Sequence, residues 1–134
     1  MTPSPTRAAR SGCPIATTLD QVGDRWTLVV LRDMLTGKSR FADFLASPER
    51  ITSSVLADRL AAMEAAGLVR KSLYERRPPR HEYRLTAKGE DLLPVLQEIC
   101  RWANRHIPET WVPPASFMAR RIDPPSADAP AERD

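Results

Sequence analysis

Three arginines, Arg76, Arg77 and Arg80, lie close together in the middle of the chain, and Pro78 and Pro79 separate the second from the third. A guanidinium group is planar and permanently charged, and it can donate paired hydrogen bonds to phosphate oxygens. The prolines stiffen the backbone and so reduce the entropy lost on binding. This spacing predicts contact with nucleic-acid phosphates or with a narrow minor groove. A solvated turn is the alternative.

A second set of candidate contacts lies around a predicted helix that spans about residues 53–66. Leu56, Leu60 and Met63 recur at helical spacing, so they predict its buried side. The opposite side carries small or polar residues, which allow a helix to approach the base edges in a DNA major groove. With one arginine from an earlier segment, the candidate contacts here are Arg40, Thr52, Ser53, Ser54, Ala57, Asp58 and Arg59.

Alternatives stay open for several of these residues. Ser53 and Ser54 could simply cap the helix, as Thr52 could. Arg59 could form an internal salt bridge. The carboxylate of Asp58 could accept a hydrogen bond from a cytosine amino group, or it could repel phosphate.

The charge distribution supports a nucleic-acid partner more than the net charge of +3 does. The segment 70–84 holds six Lys/Arg and two Glu, whereas the last twelve residues hold four Asp/Glu and one Arg. A basic patch of this kind is typical of nucleic-acid-binding surfaces, although a solvated surface is an alternative for charge alone.

Other function classes lack a signal in the sequence. We find no apolar run long enough for a membrane span and no secretory signal, so we expect a cytoplasmic protein without a membrane partner. His81 and His106 lack metal-ligand spacing, and no glycine-rich phosphate loop or nucleophile motif is present. We therefore expect no enzyme, no catalytic residues, no metal and no cofactor.

Hydrophobic periodicity and turn residues predict the elements that position these groups. Helices are expected over about 14–22, 25–35, 53–66 and 87–106, with a short one around Phe41 and Phe44. Strands are expected over 68–74 and 81–85, with the loop 75–80 between them. Pro94 is expected to bend the last helix. The fold class is therefore mainly α with a small β-hairpin, in the order of a winged helix-turn-helix.

Three regions are expected along the chain: a disordered arm at 1–12, a DNA-binding and dimerisation domain at 13–107, and a Pro-rich, mostly flexible acidic tail at 108–134. The apolar side of the last helix is wider than one hairpin can cover, so we expect part of it to meet a second subunit. Its candidate interface residues are Leu92, Leu96, Ile99 and Ala103.

Over about residues 13–107, the chain resembles the HxlR family of winged-helix regulators. The resemblance rests on Cys13-Pro14-Ile15, Gly23-Asp24-Arg25-Trp26-Thr27-Leu28, Leu31-Arg32-Asp33-Met34-Leu35, Arg40-Phe41, Ile51, Val55-Leu56, Arg59-Leu60, Gly67-Leu68-Val69, Pro78-Pro79-Arg80, Glu82-Tyr83, Leu85-Thr86, Gly89 and Leu92-Leu93-Pro94-Val95-Leu96. It implies a transcriptional regulator that binds a pseudo-palindromic operator on double-stranded DNA as a homodimer; repression is the expected mode, with activation as the alternative. The first helix, with Ile15 and Leu19, would share the dimer interface with the last.

The sequence departs from the family pattern at two positions. Ser54 stands where the family often has a basic residue, and Asp58 stands where it often has a neutral polar one. The recognition helix is therefore less cationic than the family pattern, and phosphate binding shifts toward the arginines of the hairpin.

The family also places a cysteine just before the first helix, where several members sense oxidants or electrophiles. Cys13 matches this position, and a helix N-terminus can stabilise a thiolate. Our hypothesis is that Cys13 of one subunit pairs with Cys100 of the other in a switch disulfide. The alternative is two ordinary thiols, with Cys100 in the core.

Two further alternatives concern partners. A winged helix can serve protein contacts without binding DNA. A small apolar effector could bind between the dimer helices and the DNA-binding core, beside Trp26, Trp102 or Phe44, although such aromatics are more often part of a core.

Overall fold

The computed structural model describes residues 11–122 and is mainly helical with one antiparallel two-stranded hairpin, which confirms the predicted fold class. Residues 1–10 of the expected arm and 123–134 of the expected acidic tail lie outside the described residues. The elements in chain order are α1 (Pro14–Val22), α2 (Thr27–Leu35), α3 (Phe41–Leu45), α4 (Ser53–Ala65), β1 (Val69–Arg76), β2 (Pro79–Leu85), α5 (Ala87–Glu90), α6 (Leu93–His106) and α7 (Ala115–Ala119).

The chain falls into two compact units, one ending at Leu92 and the other beginning at Leu93. The core of the first unit contains Leu31, Phe44, Leu56 and Leu60, each at most 1% exposed. These residues come from α2, α3 and α4, at the positions where helical periodicity places the apolar sides. Burying each such side chain stabilises the fold by about 1.5–3 kcal/mol, so this core sets the mutual orientation of the three helices.

The end of α4 is closed by a glycine, as its position in the sequence predicts. Gly67 has a φ of 79°, which a residue with a Cβ adopts only with strain. This conformation lets the Leu68 amide donate to the Met63 carbonyl at 2.9 Å, and the buried Leu68 then leads into β1. The hairpin therefore follows α4 directly, which brings the arginine-rich turn into the same unit as the helix.

The hairpin is tighter than predicted, because the expected loop 75–80 is mostly strand. Glu75 pairs with Arg80 and Arg76 pairs with Pro79, so only Arg77 and Pro78 form the turn. Pro79 is tolerated because it is the first residue of its strand, where a missing amide proton costs little. An irregularity in the register between Leu73 and Glu75 leaves the intervening residue, Tyr74, without a partner in the ladder.

The long last helix predicted over 87–106 is instead two helices, and this prediction was wrong. α5 ends at Glu90, and α6 begins at Leu93 with Pro94 in its first turn. A proline inside a helix removes one backbone donor and clashes with the carbonyl four residues before it, here that of Glu90. In the first turn of a helix neither cost arises, so the chain restarts the helix at Leu93 rather than bending it.

In the second unit, the structure adds a short helix, α7, that the sequence did not predict. Phe117 of α7 is buried. The buried Gln97 of α6 donates from its side-chain amide to the carbonyls of Phe117, Met118 and Arg120, at 3.1, 3.3 and 2.8 Å. This buried amide adds to the hydrogen bonds that the Arg120 amide and the Arg121 guanidinium donate to the same carbonyls at the C-terminal end of α7.

Candidate nucleic-acid interface

The helix-turn-helix consists of α3 and α4, and a polar network fastens the segment between them to α2. Buried Asp33 accepts hydrogen bonds from the Ser47 hydroxyl and from the Arg32 guanidinium. Arg32 also donates to both carboxylate oxygens of Glu49, at 2.7 and 2.8 Å. These bonds from Arg32 outweigh burial and lower the pKa of Glu49, while the same contact raises the pKa of Arg32. Both groups are therefore charged over the ordinary pH range, and the turn is held by an ion pair.

The outward side of α4 carries small and polar side chains, as the helical pattern predicts. Ser53, Ser54, Ala57 and Asp58 are all exposed. The capping residue is Thr52, whose hydroxyl accepts from the Val55 amide at 3.4 Å. Since Thr52 caps the helix, the hydroxyls of Ser53 and Ser54 make no hydrogen bond within residues 11–122 and can meet a ligand.

Arg59 forms an internal salt bridge, which the sequence offered as the alternative to a DNA contact. Its Nη1 lies 3.4 Å from Asp24 Oδ1, and its Nη2 lies 3.6 Å from Asp58 Oδ2. Asp24 also accepts bonds from the Trp26 and Thr27 amides and from the Thr27 hydroxyl at the start of α2. Arg59 therefore joins α4 to the beginning of α2, which makes it a less available DNA contact than its neighbours on α4.

The tip of the hairpin presents the predicted arginines to solvent. Arg76, Arg77 and Arg80 are all exposed, and among the carboxylates of residues 11–122 only Glu75 pairs with one of them, with its Oε1 3.2 Å from Arg80 Nε. Both members of this pair are about half exposed, so the pair is weak and can open when phosphate approaches.

Arg70 and Arg84 are also basic residues of the hairpin, and they are direct cross-strand partners. Both side chains are exposed, and Arg84 lies 3.2 Å from Glu82. Like charges placed opposite each other destabilise a hairpin. The sequence reasoning counted these residues in the basic patch but did not single them out, because their pairing depends on the register of the strands.

Arg40, the remaining candidate, stands immediately before α3. Its guanidinium carbon lies 3.9 Å from the centroid of the Tyr74 ring in β1. Sequence reasoning missed Tyr74, because nothing in the local pattern links it to a residue more than thirty positions earlier. Arg40 is the point where the helix-turn-helix meets the hairpin.

The expected dimer-interface residues differ in exposure. Ile15 and Leu19 of α1 are 72% and 56% exposed, and Ile99 of α6 is also exposed. Leu96 is buried, and Leu92 and Ala103 are half-buried. The exposed apolar stripe of α6 instead consists of Val95, Ile99 and Trp102, which line one shallow depression with Pro94 and Glu98.

The two cysteines differ in exposure, and Phe44 lies in the core. Cys13 is exposed and immediately precedes α1, while Cys100 is half-buried on α6; both are free thiols. Burial raises the pKa of the Cys100 thiol. Phe44 is completely buried, so it belongs to the core and does not line a cleft.

Within residues 11–122, no group of three His, Cys, Asp or Glu side chains is close enough to hold a metal ion. In the same part of the chain, every helix is too short or too polar to cross a bilayer.

Comparison with known proteins places this architecture in a family. YybR of Bacillus subtilis (strain 168), an HTH-type transcriptional regulator whose role is uncharacterized, is 35% identical over 104 residues, which are 76% of this chain and 83% of YybR. The redox regulator HypR in its oxidized form is 34% identical with a TM-score of 0.64, over 70% of this chain and 97% of HypR. The reduced transcriptional regulator YodB from B. subtilis is 26% identical with a TM-score of 0.62, over 75% of this chain and all of YodB. Since residues 21–111 also match the family model for HxlR-like helix-turn-helix proteins, the chain belongs to the HxlR-like helix-turn-helix family.

Proposed function

We propose that this protein is a sequence-specific DNA-binding transcriptional repressor that acts on a pseudo-palindromic operator as a homodimer. Its family and the regulators it resembles support this function. The observation that carries the proposal is the exposed outer side of α4, with Ser53, Ser54 and Ala57, in the same compact unit as an arginine-rich hairpin. A catalytic role has no comparable support.

In this proposal α4 enters the major groove and the hairpin binds alongside. Short side chains let the helix backbone come close to base edges, where hydroxyl groups can donate or accept hydrogen bonds. Arg76, Arg77 and Arg80 add long cationic side chains that reach phosphates or a narrow minor groove. The helix supplies sequence preference, and the hairpin supplies most of the electrostatic affinity.

The homodimer would use the exposed apolar residues of α1 and α6. Ile15, Leu19, Val95, Ile99 and Trp102 are each at least 40% exposed, which is unusual for large apolar side chains at helical spacing. A two-fold dimer would present two α4 helices to half-sites about 34–36 Å apart, one turn of B-DNA.

The test selects sequences bound by the purified protein from a random pool of duplex DNA. Enrichment of a pseudo-palindrome, with affinity that falls steeply from about 50 to about 200 mM salt, is the expected result. Sedimentation should give a dimer. If no duplex binds even at low salt, the proposal is wrong, and a winged helix used for protein contacts becomes the better explanation.

We further propose that oxidants or electrophiles regulate DNA binding through Cys13. This proposal is supported by the similarity of the chain to HypR, which is a redox regulator. Cys13 is exposed, so a peroxide can reach it and oxidise its thiolate to a sulfenic acid, with loss of hydroxide. The Cys100 thiolate of the second subunit would then attack that sulfur, form the disulfide and release a second hydroxide.

Non-reducing gels after mild peroxide treatment test the pairing. We expect a covalent dimer in the wild type and monomer bands in Cys13→Ser and in Cys100→Ser. If Cys100→Ser still gives the covalent dimer, Cys13 pairs with its own copy instead. If the wild type stays monomeric on the gel, the pairing hypothesis is wrong.

A further inference from the structure

Contacts with β2 and with the start of α3 fix the backbone of Arg40. Arg40 is extended and forms an antiparallel bridge with Glu82 of β2, and the neighbouring Ser39 carbonyl accepts from the Tyr83 amide at 2.7 Å. The Arg40 amide donates to Asp43 Oδ2 at 3.4 Å at the start of α3. The Cα of Arg40 therefore has a defined position between the hairpin and the first helix of the helix-turn-helix.

Tyr74 then orients the side chain. This residue lies at the irregularity between Leu73 and Glu75, where it has no partner in the ladder. Irregularities of this kind re-aim a side chain relative to a regular strand. Its half-buried ring lies 3.9 Å from the Arg40 guanidinium carbon, which is a close cation–π contact.

The contact leaves the charge of Arg40 available, which distinguishes it from three other arginines of α4 and the hairpin. Arg59, Arg80 and Arg84 each lie within 3.6 Å of a carboxylate oxygen. In the part of the chain that the structure describes, Arg40 forms no ion pair. A carboxylate would orient the guanidinium but would also neutralise it and repel phosphate. A tyrosine ring orients it without adding a charge.

A guanidinium stacked on a ring uses one face, and its hydrogen-bond donors all point outward in the molecular plane. We propose that Arg40 and Tyr74 form a preorganised phosphate-binding site, in which Tyr74 is a positioning residue that holds the Arg40 guanidinium for paired hydrogen bonds to one DNA backbone phosphate. The inference rests on the proposed DNA-binding function and deepens it. The physical gain is the rotamer entropy that Arg40 no longer loses on binding.

The test compares variants of the full-length protein in fluorescence anisotropy with a labelled mixed-sequence duplex of about 30 base pairs, over a salt titration. Tyr74→Leu keeps the apolar bulk but removes the aromatic ring, and we expect it to weaken binding roughly three- to tenfold. Tyr74→Phe keeps the ring and should remain within about twofold of the wild type. Arg40→Ala should weaken binding further and lower the salt slope by about one.

A double-mutant cycle separates positioning from a general structural role. Once Arg40 is alanine, Tyr74→Leu should change the affinity no further, because its effect acts through Arg40. Arg40→Lys, which keeps the charge but lacks the planar group, should behave like Tyr74→Leu and serves if the tyrosine variant does not fold. Leu73→Ala, at an exposed neighbour on the same strand, is the matched control and should bind like the wild type.

The outcomes distinguish the two proposals. If the wild type binds duplex DNA but Tyr74→Leu and Arg40→Lys bind equally well, the inference is overturned and the proposed function stands. If Tyr74→Leu weakens binding by the same factor with and without Arg40, Tyr74 acts on the fold, and the inference is again wrong. If the wild type binds no duplex at low salt, both proposals fail.

Discussion

Arg59 of α4 is paired with Asp24, whose carboxylate accepts hydrogen bonds at the start of α2, with Nη1 and Oδ1 3.4 Å apart. Asp24 accepts from the Trp26 and Thr27 amides at 2.9 and 3.0 Å. One carboxylate therefore satisfies backbone amides at the start of α2 and also holds the Arg59 side chain of α4. This contact ties the orientation of the proposed recognition helix to the segment that follows α1.

The first prediction concerns this carboxylate. Burial opposes its ionisation, but hydrogen bonds from the Thr27 hydroxyl and the Trp26 and Thr27 amides, with the charge of Arg59, outweigh burial and lower the pKa of Asp24. Asp24→Asn keeps a capping side chain but loses the ion pair, so the free energy of unfolding should fall by about 0.5–1 kcal/mol. Asp24→Ala also loses the cap and should cost about 1–2 kcal/mol. Urea denaturation at neutral pH measures both.

The same pair predicts a pH dependence. Because the folded pKa of Asp24 lies below its ordinary value of 3.8, the stabilisation is complete above that value and is lost as the pH falls through the folded pKa. The stability difference between the wild type and Asp24→Asn should therefore shrink in acid. A difference that stays constant from neutral to strongly acidic pH would contradict this account.

The second prediction concerns the ion pair of the hairpin tip, where Glu75 lies 3.2 Å from Arg80. Glu75→Gln removes a negative charge that competes with phosphate, so DNA affinity at low salt should increase. Arg80→Ala should decrease the affinity and reduce the salt slope by about one. Glu90→Gln makes the same change of net charge on α5 and serves as the control. Equal gains in Glu75→Gln and Glu90→Gln would mean that only net charge matters.

The third prediction concerns Asp58 on the outer side of α4, whose side chain is 77% exposed. Asp58→Asn removes a charge that repels phosphate, so binding to mixed-sequence DNA should become tighter. If Asp58 also accepts a hydrogen bond from a cytosine, preference at one operator position should relax at the same time. Sequence selection with both proteins measures this. Unchanged affinity and unchanged preference would place Asp58 outside the interface.

The fourth prediction separates the proposed dimer surface of α6 from the core. Ile99 and Trp102 are 47% and 57% exposed, so Ile99→Arg and Trp102→Glu should give folded monomers with weakened operator binding. Leu96 is only 7% exposed, so Leu96→Ala should instead reduce stability by about 2–5 kcal/mol. Sedimentation equilibrium and thermal unfolding report the two effects. A dimeric Ile99→Arg variant would show that the interface lies elsewhere.

The fifth prediction concerns Gln97, whose amide donates to three carbonyls at the end of α7. Gln97→Leu removes this buried donor, and the three carbonyls keep the bonds from the Arg120 amide and the Arg121 guanidinium, so we expect a cost of about 0.5–1.5 kcal/mol. Gln97→Glu should be worse at neutral pH, since a carboxylate repels carbonyl oxygens. We expect faster cleavage by trypsin after Arg120 and Arg121 in both variants. Cleavage at the wild-type rate would mean that the buried Phe117 alone holds α7.

Several elements follow from the sequence alone. α1 spans residues 14–22 as predicted, and α4 begins at Ser53 and is closed by Gly67. These features depend on local chemistry: the spacing of apolar residues, a capping hydroxyl and a glycine that tolerates positive φ. Such interactions span only a few residues, so the order of the chain is enough to predict them. The outward side of α4 was predictable for the same reason.

Tertiary packing decided the partners of the charged and apolar side chains. Arg59 meets Asp24 and Arg40 meets Tyr74 across more than thirty residues of chain, and no local pattern encodes those distances. Periodicity placed Leu96 with Ile99 on one side of α6, but only the packed fold shows that the first is buried and the second exposed. The sequence determined which residues share a face, whereas the tertiary structure determined what covers each face, because burial depends on segments that are distant in the chain.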